Sequence, residues 1–355
     1  MKASVITLHS VCNYGTQLQA LATQEKFKEY FDNVEFVNYR RPNTYGVKLM
    51  KTFSGNNPVK MIAILPTLIK WKRVFGGFQK KYLNISKKDY HIIDSDVYFT
   101  GSDQVWNTGW NNGIIPELYL NFVPDSIPKY AYSSSFGLKK LDNKDKLEVK
   151  KYLSRFKKIS VREDSGLDIL QDLGINNAIR ILDPTLVMDR YFWRKLSSKR
   201  KIKEDYILIY NLNRSKEFDN YCEEFAKKTN LKLYRFCTRY DQIFRNGKSI
   251  LIPNVLDFIS LIDNAKYVIT DSFHATAFSV NMNTIPVAIY PKEYSSRLSD
   301  FLNLTNLQEC HPVDYNDYSI IEKNISFDNS NSILDNERVK VNQYLKSIKK
   351  EVEGE

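Results

Sequence analysis

The chain has 355 residues, of which 43% are hydrophobic and 26% charged, and a formal net charge of +11. This length suits two domains, and the composition excludes disordered and fibrous classes. The four cysteines are far apart, with no CxxC pair and no Cys/His group at zinc spacing. We therefore expect a reducing compartment and no structural metal.

The first half of the chain alternates short apolar runs with amphipathic segments, which is typical of a doubly wound parallel sheet. The predicted strands are residues 3–9, 34–38, 96–100, 130–133, 158–161 and 179–182. The predicted helices are residues 17–30, 144–156 and 166–173, and residues 13–16 are predicted to form the first turn. The opening unit lacks the GxGxxG pattern, so we predict no dinucleotide site.

The second half repeats this alternation after a polar, charged link at residues 197–204. The predicted strands are residues 206–210, 232–236, 267–270 and 287–290. The predicted helices are residues 217–229, 257–264 and 275–282, one that begins near Arg297, and one at residues 334–350. The sequence thus predicts an α/β fold with two Rossmann-like domains. Their predicted limits are residues 1–196 and 205–330, followed by a C-terminal helix at residues 331–355.

A long basic segment interrupts the first half. Residues 36–88 contain no Asp or Glu and twelve Lys or Arg, interleaved with aliphatic and aromatic residues. We assign an insertion of about residues 42–88 to the N-terminal domain. Two interpretations stay open: a surface for anionic lipid or a lipid-linked diphosphate, or an ordinary solvated helical insertion. Nucleic acid is not expected as a partner, because no nucleic-acid-binding motif is present.

Membrane contact is expected to be peripheral. The longest apolar stretch, residues 61–69, is broken by Pro66 and is too short to cross a bilayer. The first residues lack the apolar core of a signal peptide. We therefore predict a cytoplasmic protein, with docking at the inner face of the membrane as a further interpretation.

The most informative stretch is residues 266–291. A buried strand, residues 267–270, is followed by Asp271 and Ser272, both helix-capping types, and then by His274. Such corners of parallel sheets bind ligands, and helix N-termini favour anions. A histidine there can protonate a leaving group or stabilise its charge. The alternative is that His274 only caps the helix.

Polar clusters follow several of the predicted strands, where sites are commonly built. They are residues 13–16, 101–107, 133–137, 162–165, 211–214 and 271–274. Turn chemistry explains any one of them. Taken together, they predict a cleft between the carboxyl ends of the two sheets.

At these positions the sequence resembles the polysaccharide pyruvyl transferase family. The motifs that carry the resemblance are NYGTQLQA at 13–20, GSDQVWN at 101–107, VRE at 161–163, DPTL at 183–186 and TDSFH at 270–274. The resemblance spans roughly residues 1–310. It implies a fold similar to the two-domain glycosyltransferase B type. It also implies transfer of the enolpyruvyl carbon of phosphoenolpyruvate to two hydroxyls of one sugar, which gives a pyruvate ketal and phosphate.

The resemblance also implies roles for individual residues. His274 would act at the donor phosphate, and Asp103 is the candidate base for a sugar hydroxyl, although it could simply be a cap after Gly101. The donor-binding candidates are Arg162, Ser272, Arg297, Lys292 and Arg214. The acceptor-binding candidates are Asn13, Tyr14, Gly15, Ser102, Trp106 and Asn107. The reaction requires no metal or other cofactor, and the acceptor could be a lipid-linked oligosaccharide.

The sequence departs from the family at one informative position. Many members have an Arg two residues before the histidine, where this chain has Ser272. Arg297 or Lys292 would have to supply that cation. Two other functions therefore stay open: a glycosyltransferase that uses a nucleotide sugar, and a non-catalytic glycan-binding relative.

Overall fold

The computed structural model describes residues 1–41, 44, 46–55, 57–213, 215–291 and 296–354. The predicted α/β class is confirmed, because these residues contain two parallel sheets with helices between the strands. Two compact units are present. The first comprises Met1–Arg41, Gln79–Val187 and Leu334–Glu355, and the second comprises Pro42–Phe78 and Met188–Ile333.

The sheet of the first unit has the strand order β2-β1-β3-β4-β5-β6, and every pairing in it is parallel. Its strands are β1 (Lys2–Ile6), β2 (Asn33–Phe36), β3 (Val97–Thr100), β4 (Lys129–Ser134), β5 (Lys158–Val161) and β6 (Ile179–Arg180). The chain leaves β1 toward one side and returns to its other side as β3. The carboxyl ends of β1 and β3 therefore form the topological switch point, where such sheets bind ligands.

The sheet of the second unit has the order β11-β10-β7-β8-β9 and is also parallel throughout. Its strands are β7 (Tyr206–Tyr210), β8 (Lys232–Cys237), β9 (Lys248–Leu251), β10 (Tyr267–Thr270) and β11 (Ile285–Ala288). Here the switch point lies between the carboxyl ends of β7 and β10. The sequence analysis missed β9, an edge strand whose residues are only partly buried.

The helices are amphipathic or, where they pack against a sheet, almost wholly buried. Their bounds are α1 (Tyr14–Phe27), α2 (Gly46–Ser54), α3 (Pro58–Tyr82), α4 (Thr108–Asn111), α5 (Asn143–Leu153), α6 (Asp164–Asp172), α7 (Pro184–Val187), α8 (Arg190–Leu196), α9 (Lys216–Thr229), α10 (Val255–Asp263), α11 (Phe273–Met282), α12 (Ser296–Leu304) and α13 (Asp328–Glu353). No helix among the described residues is long and apolar enough to cross a membrane.

The two units differ from the predicted domains at the basic insertion and at the C-terminal helix. Residues 42–78 group with the second unit, not the first, and residues 334–355 group with the first. The side chain of Trp71 in α3 donates to the carbonyl of Thr238 at 2.7 Å. The hydroxyl of Tyr344 in α13 donates to the carbonyl of Ala131 in β4 at 2.7 Å. These long-range contacts outweigh proximity along the chain.

Two local predictions are wrong. Tyr14, Gly15 and Thr16 form the first turn of α1 rather than a loop, because the side chain of Asn13 caps the helix there. Pro66 does not break the apolar stretch, since α3 continues through it. Pro66 is exposed, so water can bind the carbonyl that loses its helical donor.

Candidate functional site

In the first unit the switch point is built around Asp103. Gly101 follows β3 where an added Cβ would lie 3.0 Å from Val5 and 3.2 Å from Thr7. A larger residue there would require Val5 and Thr7 to shift by a few tenths of an ångström. Two residues later Asp103 has φ +77, which is costly for a residue with a Cβ. Strain of this kind occurs where the surrounding structure fixes a side chain, and here it directs the Asp103 carboxylate.

Three groups hold that carboxylate. The hydroxyl of Thr16 donates to one oxygen at 2.6 Å, and the backbone N–H of Gln104 donates to the other at 2.9 Å. The guanidinium of Arg162 lies 3.5 Å from the same second oxygen. Because Thr16 is in the first turn of α1 and Asp103 follows β3, this contact joins the two sides of the switch point. The Asp103 side chain is buried, with 10% of its surface exposed.

Arg162 is surrounded by carboxylates. Its Nη1 lies 2.6 Å from a carboxylate oxygen of Asp183, and its Nε lies 3.6 Å from a carboxylate oxygen of Glu163. Burial lowers the pKa of Arg162, but the three carboxylates outweigh burial and hold that pKa above its ordinary value. One guanidinium among three carboxylates leaves two formal negative charges. The structure therefore places Arg162 as an internal counterion, 1% exposed, and not as the donor-binding cation that the sequence predicted.

The predicted acceptor-binding residues near α1 lie close to this cluster, but most are buried. Asn13 is half-buried and accepts from the backbone N–H of Thr16 at 3.2 Å. Tyr14 and Gly15 are buried in α1. Ser102 is fully buried, and its hydroxyl donates to Asp183 at 3.2 Å. Of these four residues, Asn13 is the most accessible to a ligand.

Trp106 does not fit its predicted acceptor role. It is fully buried, its indole N–H donates to the carbonyl of Leu118, and its ring stacks on Tyr119 with centroids 5.6 Å apart. The residue anchors the core of the first unit and cannot stack on a sugar. Trp110 is 39% exposed and lies under the guanidinium of Arg41 at 3.6 Å.

Asn107 is also structural. It is fully buried, accepts from the N–H of Trp110 as the cap of α4, and donates to the side chain of Gln104 at 2.6 Å. Gly137 packs against this amide pair, since a Cβ there would lie 2.7 Å from Gln104 and 2.9 Å from Asn107. The segment after β3 is thus a rigid wall that supports Asp103.

In the second unit the switch point is built around Asp271. Its carboxylate accepts from the backbone N–H of Leu212 at 2.7 Å and from Asn213 at 2.9 Å, and also from the side chain of Asn213. Burial raises the pKa of Asp271, and these donors offset that rise only in part. The sequence suggested that Asp271 caps the helix. Its contacts show instead that it joins the loop after β7 to the end of β10.

Ser272 is the cap of α11, and its hydroxyl oxygen accepts from the N–H of Ala275. The helix therefore begins at Phe273, two residues earlier than predicted, and His274 lies in its first turn. His274 is 8% exposed and lies edge-on to the ring of Phe273 at 5.4 Å. The helix dipole and the first-turn N–H groups favour negative charge at this corner.

A cation reaches the same corner from α12. The guanidinium carbon of Arg297 lies 6.0 Å from the ring centroid of Phe273, the residue beside His274. This position suits the cation that the Ser272 substitution removes. Lys292 and Arg214, the other two donor-binding candidates, lie outside the described residues. Within the described part of the chain, no group of three or more His, Cys, Asp or Glu could hold a metal ion.

Sequence reasoning missed several members of these clusters as site residues. Thr16, Asp183 and Glu163 complete the charged group around Asp103 and Arg162. Thr16 and Asp183 lie in the NYGT and DPTL motifs. Because these motifs follow predicted strands, their position could have identified both residues as site candidates. Glu163 lies in the VRE motif and had the same signal, but its hydrogen bonds with Ser135 and with the N–H groups of residues 136 and 137 depend on tertiary packing.

Solved structures with a similar fold cover nearly the whole chain. They include the S. aureus MnaA–UDP co-structure (12% identity, 99% of this chain and 97% of that chain, TM-score 0.57). UDP-N-acetylglucosamine 2-epimerase from Rickettsia bellii also matches (12% identity, 100% of both chains, TM-score 0.51). UDP-GlcNAc 2-epimerase from Neisseria meningitidis bound to UDP-GlcNAc is similar too (11% identity, 98% of this chain and 100% of that chain, TM-score 0.51).

At such low identity these likenesses define the fold alone, and the class is the glycosyltransferase-B-like α/β fold that the sequence predicted. No curated protein sequence matches the chain. The sequence itself matches polysaccharide pyruvyl transferase over residues 13–293. The chain belongs to the polysaccharide pyruvyl transferase family, a family of transferases, as the motifs at both switch points suggested.

Proposed function

We propose that the protein transfers the enolpyruvyl unit of phosphoenolpyruvate onto two hydroxyls of a sugar in a polysaccharide precursor. The product is a cyclic pyruvate ketal, and phosphate is released. One observation carries this proposal: in a chain of this family, His274 lies in the first turn of a helix at the β7/β10 switch point, and Arg297 lies near the neighbouring Phe273.

The donor has a phosphate and a carboxylate, so its site needs N–H groups and cations. The start of α11 offers N–H groups and a favourable dipole. His274 would donate a proton or a hydrogen bond to the phosphate as it leaves, and Arg297 would offset the donor's negative charge. Arg162 has no part in donor binding here, because three carboxylates already surround it.

The acceptor chemistry calls for a base. A proton adds to the methylene carbon of the donor, the first sugar hydroxyl gives its proton to a base and adds to the neighbouring carbon, and the second hydroxyl loses its proton as it displaces phosphate to close the ketal. Overall, one hydroxyl proton ends on the new methyl group and the other on the released phosphate. Asp103 is the candidate base, because its carboxylate lies at the switch point and is fixed by Thr16 and Gln104. In this role Arg162 is a positioning residue, because its guanidinium lies 3.5 Å from the Asp103 carboxylate.

The test is calorimetric binding of phosphoenolpyruvate to the full chain and to His274→Ala. We expect about 10–100-fold weaker binding in the variant, the usual effect of losing a hydrogen bond to a charged ligand. His91→Ala is the matched control, since His91 is exposed and paired with Asp89. Circular dichroism of both variants should match the unsubstituted chain.

UDP-GlcNAc is the competing ligand, because similar folds bind UDP or UDP-GlcNAc. Binding of UDP-GlcNAc without phosphoenolpyruvate would overturn the donor assignment in favour of glycosyl transfer. Binding of neither ligand would favour a non-catalytic glycan-binding protein.

A further inference from the structure

The first half of α3 presents an apolar stripe to solvent. Ile62, Leu65 and Ile69 are separated by three and four residues, so they lie on one face of the helix. Their exposed fractions are 69%, 39% and 64%. Val59, one turn earlier, is 73% exposed. Isolated exposed aliphatic residues are ordinary, but a continuous row along one helix face marks an interaction surface.

The orientation of α3 is fixed by contacts on its opposite face. Trp71 is buried and donates to the carbonyl of Thr238 at 2.7 Å, and its ring meets Phe53 of α2 edge-on at 5.4 Å. The hydroxyl of the buried Thr67 accepts from the N–H of Tyr240 at 3.2 Å. Because these side chains lock one face of the helix against the second unit, the helix cannot rotate to bury the stripe.

Exposed positive charge accompanies the stripe. Lys60, Lys72 and Arg73 on α3 are exposed, and so are Lys48 and Lys51 on α2. No carboxylate lies anywhere in residues 36–88 to neutralise them. Exposed apolar residues flanked by unneutralised basic residues on a helix are typical of a surface that binds anionic lipid. Nucleic acid would use the cations but would leave the apolar row without a partner.

We propose that the outer face of α3, together with the basic residues of α2 and α3, docks this protein on an anionic membrane surface. We name it the α3 face and define it by Val59, Ile62, Leu65, Ile69, Lys72 and Arg73. The aliphatic side chains enter the boundary between headgroups and acyl chains, while the lysines and arginine pair with lipid phosphates. This inference does not depend on the donor assigned above, because its residues lie outside both switch-point clusters.

The experiment is cosedimentation of the full chain with vesicles of phosphatidylcholine alone and of phosphatidylcholine with 30% phosphatidylglycerol, about a physiological anionic content. We expect at least tenfold tighter binding to the anionic vesicles. Raising the salt to about 0.5 M should weaken binding by roughly tenfold, since it shortens the Debye length. Equal binding to both vesicle types, or none to either, would overturn the proposal.

Paired variants separate the two contributions. Ile62→Ser/Ile69→Ser should lose at least tenfold in vesicle binding at any salt concentration. Lys72→Gln/Arg73→Gln should lose about tenfold at low salt only. The matched controls are Leu147→Ser/Val313→Ser and Lys139→Gln/Lys140→Gln, at exposed positions outside α3. All four should keep the melting temperature of the unsubstituted chain. Equal losses in the controls would contradict an assignment to the α3 face.

Two other partners give different results. If the stripe binds a second copy, light scattering will show a dimer that Ile62→Ser/Ile69→Ser converts to a monomer, with no vesicle binding. If the segment binds nucleic acid, a duplex oligonucleotide will bind with no loss in the isoleucine variant. Either result would overturn membrane docking.

Discussion

The two switch points carry opposite arrangements of charge. In the first unit, one buried guanidinium lies among three carboxylates, of which Asp103 has the most exposed side chain. In the second unit, the one carboxylate of the cluster, Asp271, is occupied by N–H donors of the neighbouring loop. What remains there is a helix N-terminus with His274 and a nearby Arg297. The first arrangement suits a hydroxyl that must lose a proton, and the second suits an anion.

The same contrast applies to the histidines that follow one strand of each switch point, β1 in the first unit and β10 in the second. His9 follows β1 and is fully buried, and burial lowers its pKa to about 4. Its backbone carbonyl accepts from the side chains of Gln17 and Gln79, both at 2.7 Å. His9 is therefore a neutral core residue near pH 7. His274 lies instead at the start of a helix, where an anion would favour its charged form.

The largest effect should come from Arg162→Met. Removing the guanidinium leaves three buried carboxylates without their cation, and we expect a loss of about 3–5 kcal/mol in the free energy of unfolding. Guanidinium denaturation measures it. Arg194→Met is the control, because the pair of Arg194 with Asp263 is half-exposed and should cost about 1 kcal/mol or less. Similar losses in both variants would mean that the buried cluster depends on its cation no more than a half-exposed ion pair does.

The pH dependence of stability should depend on His9. The folded pKa of about 4 is below the unfolded value near 6.5, so the unfolded state binds the extra proton between these values. The contribution of His9 to the free energy of unfolding is fully present above pH 6.5. It is lost as the pH drops through this window, by about 3 kcal/mol.

The test is denaturation of the unsubstituted chain and His9→Gln at several pH values between 4 and 7. His9→Gln should lose this part of the slope, whereas the exposed His91→Gln should keep it. An unchanged slope in His9→Gln would contradict the assignment.

Asp103→Asn tests whether the first switch point is catalytic. The amide oxygen can still accept from Thr16, so the fold should persist, but a neutral amide cannot take a proton. We expect about 10²-fold slower phosphate release from phosphoenolpyruvate across a panel of sugar acceptors. A normal rate in this variant would leave Asp103 with a purely structural role.

The smallest effect should come from Gly137→Ala. Gly137 and Gly55 both have φ +60, but only Gly137 has side chains where a Cβ would lie. Gly55→Ala therefore reports the backbone cost alone. We expect Gly137→Ala to cost about 1–2 kcal/mol more in unfolding free energy, because Gln104 and Asn107 must move. Equal losses of unfolding free energy in the two variants would show that Gln104 and Asn107 move at little cost.

The sequence predicted much of the secondary structure and both clusters, but not the state of each side chain. The motif GSDQVWN is the same whether Trp106 faces a sugar or the core. The stacking of Trp106 on Tyr119 shows that it belongs to the core. The sequence predicted Arg162 to bind an anion of the donor. The three carboxylates that surround it follow separate strands, so only the fold brings them together around the guanidinium. The edge strand β9 was missed, because its partial burial gives no continuous apolar run.

By itself, the sequence determined the alternation of strands and helices, the capping residue type at Ser272, and the basic character of residues 36–88, because each depends on neighbours along the chain. Only the tertiary structure decided the strand order, which places Thr16 against Asp103 and the loop after β7 against Asp271. Strand order is set by how the crossover connections pack, and the local hydrophobic periodicity of the sequence does not predict it.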